Sequence, residues 1–130
     1  VGAALGGVLK AKMRRGIDAV LDAVHFDELL SGADLVVTGE GRLDGQSVRF
    51  GKVPAGIAKR CGEKGVPVAV IAGGLGEGWE GIYQLARCSV MPIVDGPMPL
   101  DAAMQNAKSL LRSAGERMFR FIGLMQPQIK

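Results

Sequence analysis

The chain is poor in cysteine, histidine and aromatic residues. Its two cysteines, Cys61 and Cys88, lie 27 positions apart with no CxxC pair, and the single histidine, His25, offers them no metal-ligand spacing. Zinc-ribbon and disulfide-scaffold classes are thereby excluded, and two buried, unpaired thiols in a reducing cytoplasm are expected. Only six of the 130 residues are aromatic. A nucleic-acid binder would want a basic stripe with stacking aromatics, so no nucleic-acid partner is expected. Long apolar runs are also missing. The stretch from Val1 to Leu9 is too short to span a bilayer, and its basic residues follow it, unlike those of a secretory signal. No membrane partner is expected either. Net charge is small at +3, and the one dense basic cluster, Lys10, Lys12, Arg14 and Arg15, reads as a solvated helix end.

What is present is aliphatic. Apolar residues make up 48% of the chain, so the core must be built from Val, Ile, Leu, Ala and Met. The length suits one domain or part of one. The chain opens at Val1 inside an apolar small-residue helix (Ala3, Ala4, Leu5, Val8, Leu9), as a piece of a longer protein would.

Periodicity predicts a helix over 1–15, weakened by Gly6 and Gly7. Residues 17–24 fit strand or helix equally. A short helix follows over 26–30, with Gly32 to stop it. Leu35, Val36 and Val37 read as a buried strand that ends at Thr38-Gly39. A polar loop, 38–52, leads to a helix over 53–64 that has Pro54 in its first turn and Gly65 and Pro67 after it. Residues 68–72 form a second buried strand running into Gly73-Gly74. Trp79 to Ala86 reads as an amphipathic helix with Trp79, Ile82, Tyr83 and Ala86 inward. Residues 89–94 form a third strand, which Pro92 pushes toward the sheet edge. One long helix is predicted over 100–125, with Met104, Met118 and Met125 filling core on its apolar stripe. This strand–helix alternation implies an α/β fold with a parallel sheet and helices on both faces.

Ligands of such sheets bind beyond the carboxyl ends of the strands. Two of those ends are glycine-rich, 38–47 and 73–76. Glycine lets backbone N–H groups approach an anion, and the following helix adds positive potential. Around that backbone stand Glu40, Arg42, Asp44, Gln46, Ser47, Arg49 and Lys52. The dinucleotide fingerprint fails because Asp44 occupies the place of its third glycine, and the P-loop fails at Gln46 and Val53.

The run Thr38-Gly39-Glu40-Gly41-Arg42-Leu43-Asp44 with Gln46-Ser47, then Gly51-Lys52-Val53-Pro54 and Gly56-Ile57-Ala58, resembles the bacterial glycerate kinases. Ile71-Ala72-Gly73-Gly74 and Val1-Gly2-Ala3-Ala4-Leu5-Gly6 are similar to them too; beyond about Gly76 the likeness is one of pattern. The resemblance implies the C-terminal portion of a two-domain kinase that transfers the γ-phosphoryl group of ATP, with Mg²⁺, to a hydroxyl of glycerate. Residues 1–30 would be a helical lead-in and residues 31–130 part of the Rossmann-like domain. The missing N-terminal part of the parent chain would be a partner, and a homo-oligomer is compatible with this reading.

Phosphoryl transfer needs cations on the equatorial oxygens, a metal-holding carboxylate and a group that orients the attacking hydroxyl. Arg42 can grip a carboxylate or the transferred phosphoryl. Asp44 or Glu40 can hold Mg²⁺ or accept the substrate proton. Gly39, Gly41, Gln46, Ser47, Lys52, Gly73 and Gly74 are the expected binding residues. The competing reading is a non-catalytic α/β ligand-binding or assembly domain, in which these charges are salt bridges and caps.

Overall fold

The computed structural model describes residues 14–127. The predicted helix over 1–15, and with it Lys10 and Lys12, lies almost wholly outside them. Three strands, β1 (Val36–Leu43), β2 (Val68–Leu75) and β3 (Cys88–Pro92), form one sheet in the order β1-β2-β3. Both pairings are parallel, with Val36 opposite Val68 and Val68 opposite Cys88. Pro92 closes the edge strand β3, where its missing donor is tolerated.

Strand β2 is central and buried on both faces. Val68, Val70 and Ala72 enter one core with Ala58, Cys61 and Ile82, while Ala69 and Ile71 enter the other with Leu110, Ala114 and Met118. The first core is covered by α4 (Val53–Lys64) and a 3₁₀ helix, Trp79–Gln84; the second is covered by α5 (Leu100–Gln105) and α6 (Ala107–Gly123). Helices thus lie on both faces, as the alternation requires. The ambiguous stretch before β1 is helical, α1 (Gly16–Ala23), followed by α2 (Phe26–Leu29). Arg60 of α4 ties both to the domain through Asp18, Asp22 and Asp27, at 3.4, 2.9 and 3.2 Å. Arg14 pairs with Asp22 as well. Cys61 and Cys88 are both free thiols.

Four expectations need correction. The polar loop is in large part strand: β1 continues through Leu43 and β2 through Leu75, with Arg42 opposite Gly74. Glycine makes this possible, because a Cβ on Gly73 would stand 2.5 Å from the Gly41 carbonyl oxygen. The remainder of the loop holds a further short helix, α3 (Gly45–Arg49). The Trp79 segment is a 3₁₀ helix in which Ile82 is buried and Tyr83 is exposed, because a three-residue turn rotates 82 and 83 away from each other. The long C-terminal helix is broken at Asn106, whose side-chain amide donates to the Ala102 carbonyl at 2.9 Å and competes with the backbone. Of its three methionines only Met118 is buried; Met104 and Met125 are exposed.

Candidate functional site

The Glu40–Leu43 segment and the Ala72–Leu75 segment lie side by side at the carboxyl edge of the sheet, as ladder partners. Beyond them the chain is cross-fastened. The Gly76 N–H donates to the Leu43 carbonyl at 2.7 Å, and the Gly45 N–H donates to the Glu77 carbonyl at 2.8 Å. Gly78, at φ +79°, packs against Gly45 so closely that a Cβ on it would lie 3.0 Å from the Gly45 Cα. Only glycine fits both the close approach and the left-handed backbone there.

Asp44 joins the parts of the site. It is the N-cap of α3: its Oδ1 accepts from the Ser47 N–H at 2.9 Å and from the Ser47 hydroxyl at 3.1 Å. Ser47 is buried, and its hydroxyl also approaches the Arg42 carbonyl at 3.4 Å. The other oxygen, Oδ2, lies 3.7 Å from Arg42 Nε. The backbone bond from Ser47, then its hydroxyl, then the charges of Lys52 and Arg42 hold the Asp44 carboxyl below the usual carboxylate range. A carboxylate so stabilised is a good fixed anion at neutral pH.

Arg42 itself is open, its side chain 71% exposed, with its guanidinium free to meet a ligand. Glu40 Oε1 accepts from the Gly41 N–H at 2.9 Å, leaving one carboxyl oxygen uncommitted. Lys52 is exposed at the N-cap of α4, and Gln46 is exposed on α3. The glycines divide by task. Gly39 and Gly73 sit against backbone oxygens of the neighbouring strand, so they serve close strand approach, whereas the space beside Gly41 and Gly74 is open. Of these four glycines, Gly41 and Gly74 have open space beside them, and the Gly41 N–H is already taken by Glu40 Oε1.

Among the described residues no group of three or more His, Cys, Asp or Glu side chains could enclose a metal ion. Mg²⁺ bound with a nucleotide asks for less, usually one or two carboxylates beside phosphate oxygens and water. The uncommitted Glu40 oxygen fits that demand better than Asp44, whose oxygens face Ser47 and Arg42. An apolar hollow of about 280 Å³ lies elsewhere, between α6 and the amino-terminal ends of β2 and β3. Two features escaped the sequence reading. Arg60 was signalled only by Asp18 and Asp22 at helical spacing, and the Gly76–Gly78 turn only by its glycines.

A sequence model described as the glycerate kinase family matches residues 1–123. The chain is 46% identical over 114 residues to a glycerate kinase of Halalkalibacterium halodurans, covering 88% of the chain and 30% of that protein. It is 36% identical over 107 residues to a glycerate 2-kinase of Escherichia coli, covering 82% and 28%. A crystal structure assigned as glycerate kinase 2 from Salmonella typhimurium LT2 superposes with a TM-score of 0.62 at 34% identity, covering 97% of this chain and 32% of that one. The chain thus spans about three tenths of the length of these relatives.

Proposed function

Because the chain belongs to the glycerate kinase family, we propose that it supplies one wall of a cytoplasmic glycerate kinase, its C-terminal portion, with the remaining wall in sequence beyond these residues. The substrates of the whole enzyme are ATP and glycerate. The observation that carries this reading is the Arg42–Asp44–Ser47 arrangement on paired strand ends, where an open guanidinium is backed by a carboxylate that is itself fixed by a buried hydroxyl.

In this reading a glycerate hydroxyl oxygen attacks the γ-phosphorus, the bond to the bridging oxygen of ADP breaks, and the hydroxyl proton passes to solvent water. Such a transfer is governed by positioning and by charge on the equatorial oxygens. Arg42 binds those oxygens or the glycerate carboxylate through its two-pronged donor set. Asp44, with Oδ2 3.7 Å from Arg42 Nε, keeps the guanidinium in place. Lys52 adds positive charge at the same edge, and the space beside Gly74 is open to an anion. Glu40 would hold Mg²⁺, which when bound with the nucleotide neutralises charge on the phosphates.

The test is Arg42→Ala in the full-length kinase. A fall in kcat/KM of about 10²–10³, the usual cost of removing an anion-stabilising donor, with an unchanged melting temperature, is the expected outcome. Wild-type turnover with a lowered melting temperature would show Arg42 to be a structural salt-bridge partner instead.

A further inference from the structure

We propose that Gly76 is a positioning residue for Arg42: the absence of a side chain at 76 is what lets the guanidinium lie over the end of β2 beside Asp44. This rests on the reading that Arg42 meets the substrates. A Cβ at 76 would stand 2.8 Å from Arg42 Nη2, 3.2 Å from Arg42 Nε and 2.9 Å from Asp44 Cβ. The volume a side chain would need is therefore filled by the two residues that form the site.

The backbone gives no competing reason for glycine here. The left-handed glycines among the described residues are Gly32, Gly51, Gly65 and Gly78, and Gly76 is not one of them. Nor is Gly76 pressed against another strand's backbone, as Gly73 is against the Gly41 carbonyl. Its position is fixed nonetheless. The bond from its N–H to the Leu43 carbonyl, and the neighbouring bond from Gly45 to Glu77, leave the turn no room to retreat. An added methyl must therefore displace what lies over it. The guanidinium, at the far end of a flexible side chain, moves most easily, while the Asp44 Cβ, 2.9 Å away and fixed to its own backbone, has to give way as well. The fold survives the substitution while Arg42 loses its place.

The experiment combines Gly76→Ala, Arg42→Ala and the double variant in the full-length kinase, with kcat/KM, Tm and a crystal structure of Gly76→Ala. Expected are a loss of about a hundredfold for Gly76→Ala, as for comparable misplacements, and a Tm within about 4 °C of wild type. In the Arg42→Ala background the same substitution should cost almost nothing more, because non-additivity marks two residues acting through one group. In the crystal the Arg42 Nε to Asp44 Oδ2 separation should grow beyond its present 3.7 Å. A full, multiplicative loss in the double variant overturns the proposal, as does a collapse in Tm, which would mark a backbone role. Wild-type kinetics for Arg42→Ala would refute the functional reading of Arg42. The crystal then decides the positioning claim separately, and an unmoved guanidinium refutes it.

Discussion

At Asp44 one carboxyl oxygen takes both donors of Ser47 while the other faces Arg42. Cap and charge can be separated by substitution. Asp44→Asn keeps an oxygen for the Ser47 N–H but loses the anion, so it should lose activity with a small fall in Tm at neutral pH; Asp44→Ala should lower Tm further and lose activity too. Ser47→Ala removes a buried hydroxyl and leaves its partner short of a donor, a loss of about 1 kcal/mol measurable by denaturant titration. The pH dependence has a definite sign. Asp44 and Asp22 both titrate below the usual carboxylate range, Asp44 chiefly through Ser47 and Asp22 chiefly through Arg14 and then Arg60. Their contribution is complete above the unfolded value of about 4 and is lost as pH falls through the folded values. Tm should therefore hold steady from neutrality to about pH 5 and drop below about pH 4, less steeply in Asp44→Asn. The crowding of Glu40, Arg42, Asp44, Ser47 and Lys52 into one polar stretch was visible in the sequence. The role of Gly76 was not, because its reason for being glycine is a side chain far away in the chain.

Individual elements were legible where local chemistry sets them. Pro54 opens α4, left-handed Gly65 closes it, and the aliphatic runs become β1 and β2. The strand extensions over Gly39–Leu43 and Gly73–Leu75 were not legible. A glycine-rich polar run has low strand propensity, and only tertiary pairing makes it extended. The break at Asn106 was hidden for a related reason, since the apolar repeat continues in phase across it. Two helical glycines offer a quantitative check by alanine substitution. On Gly115 in α6 a Cβ meets nothing within 4 Å, so Gly115→Ala should stabilise by roughly 0.5–1 kcal/mol through helix propensity. On Gly62 in α4 a Cβ would run into the Leu85 carbonyl, where backbone must move. Overpacking of about 1–3 kcal/mol then outweighs the same propensity gain, and Gly62→Ala should destabilise. Equal and favourable shifts in the two denaturation midpoints would contradict the close packing of α4 on the chain at Leu85.

Across the whole molecule the apolar surface is unevenly covered. Leu111, Phe119, Phe121, Leu124 and Met125 are all more than half exposed along α6 and just after it. Among the described residues no strand pairs with the outer edge of β1. Such a face and such an edge invite partners. The purified 130-residue chain should accordingly show no turnover with ATP, Mg²⁺ and glycerate, and light scattering should find it larger than a monomer. Monomeric, fully active protein would mean that the site is complete within these residues. The cross-fastening of the strand ends has a mechanical consequence. Gly73 against Gly41, Gly45 bonded to Glu77, and Gly76 bonded to Leu43 join two stretches of chain into one stiff plate. Arg42, Asp44 and Ser47 ride on that plate together. In the proposed full-length kinase, any closure around substrates would then swing the plate as a unit, with the hinge outside the clamped strand ends. In hydrogen exchange, the amides of Gly45 and Gly76 should stay protected through the catalytic cycle while the hinge, wherever it falls, opens and shuts.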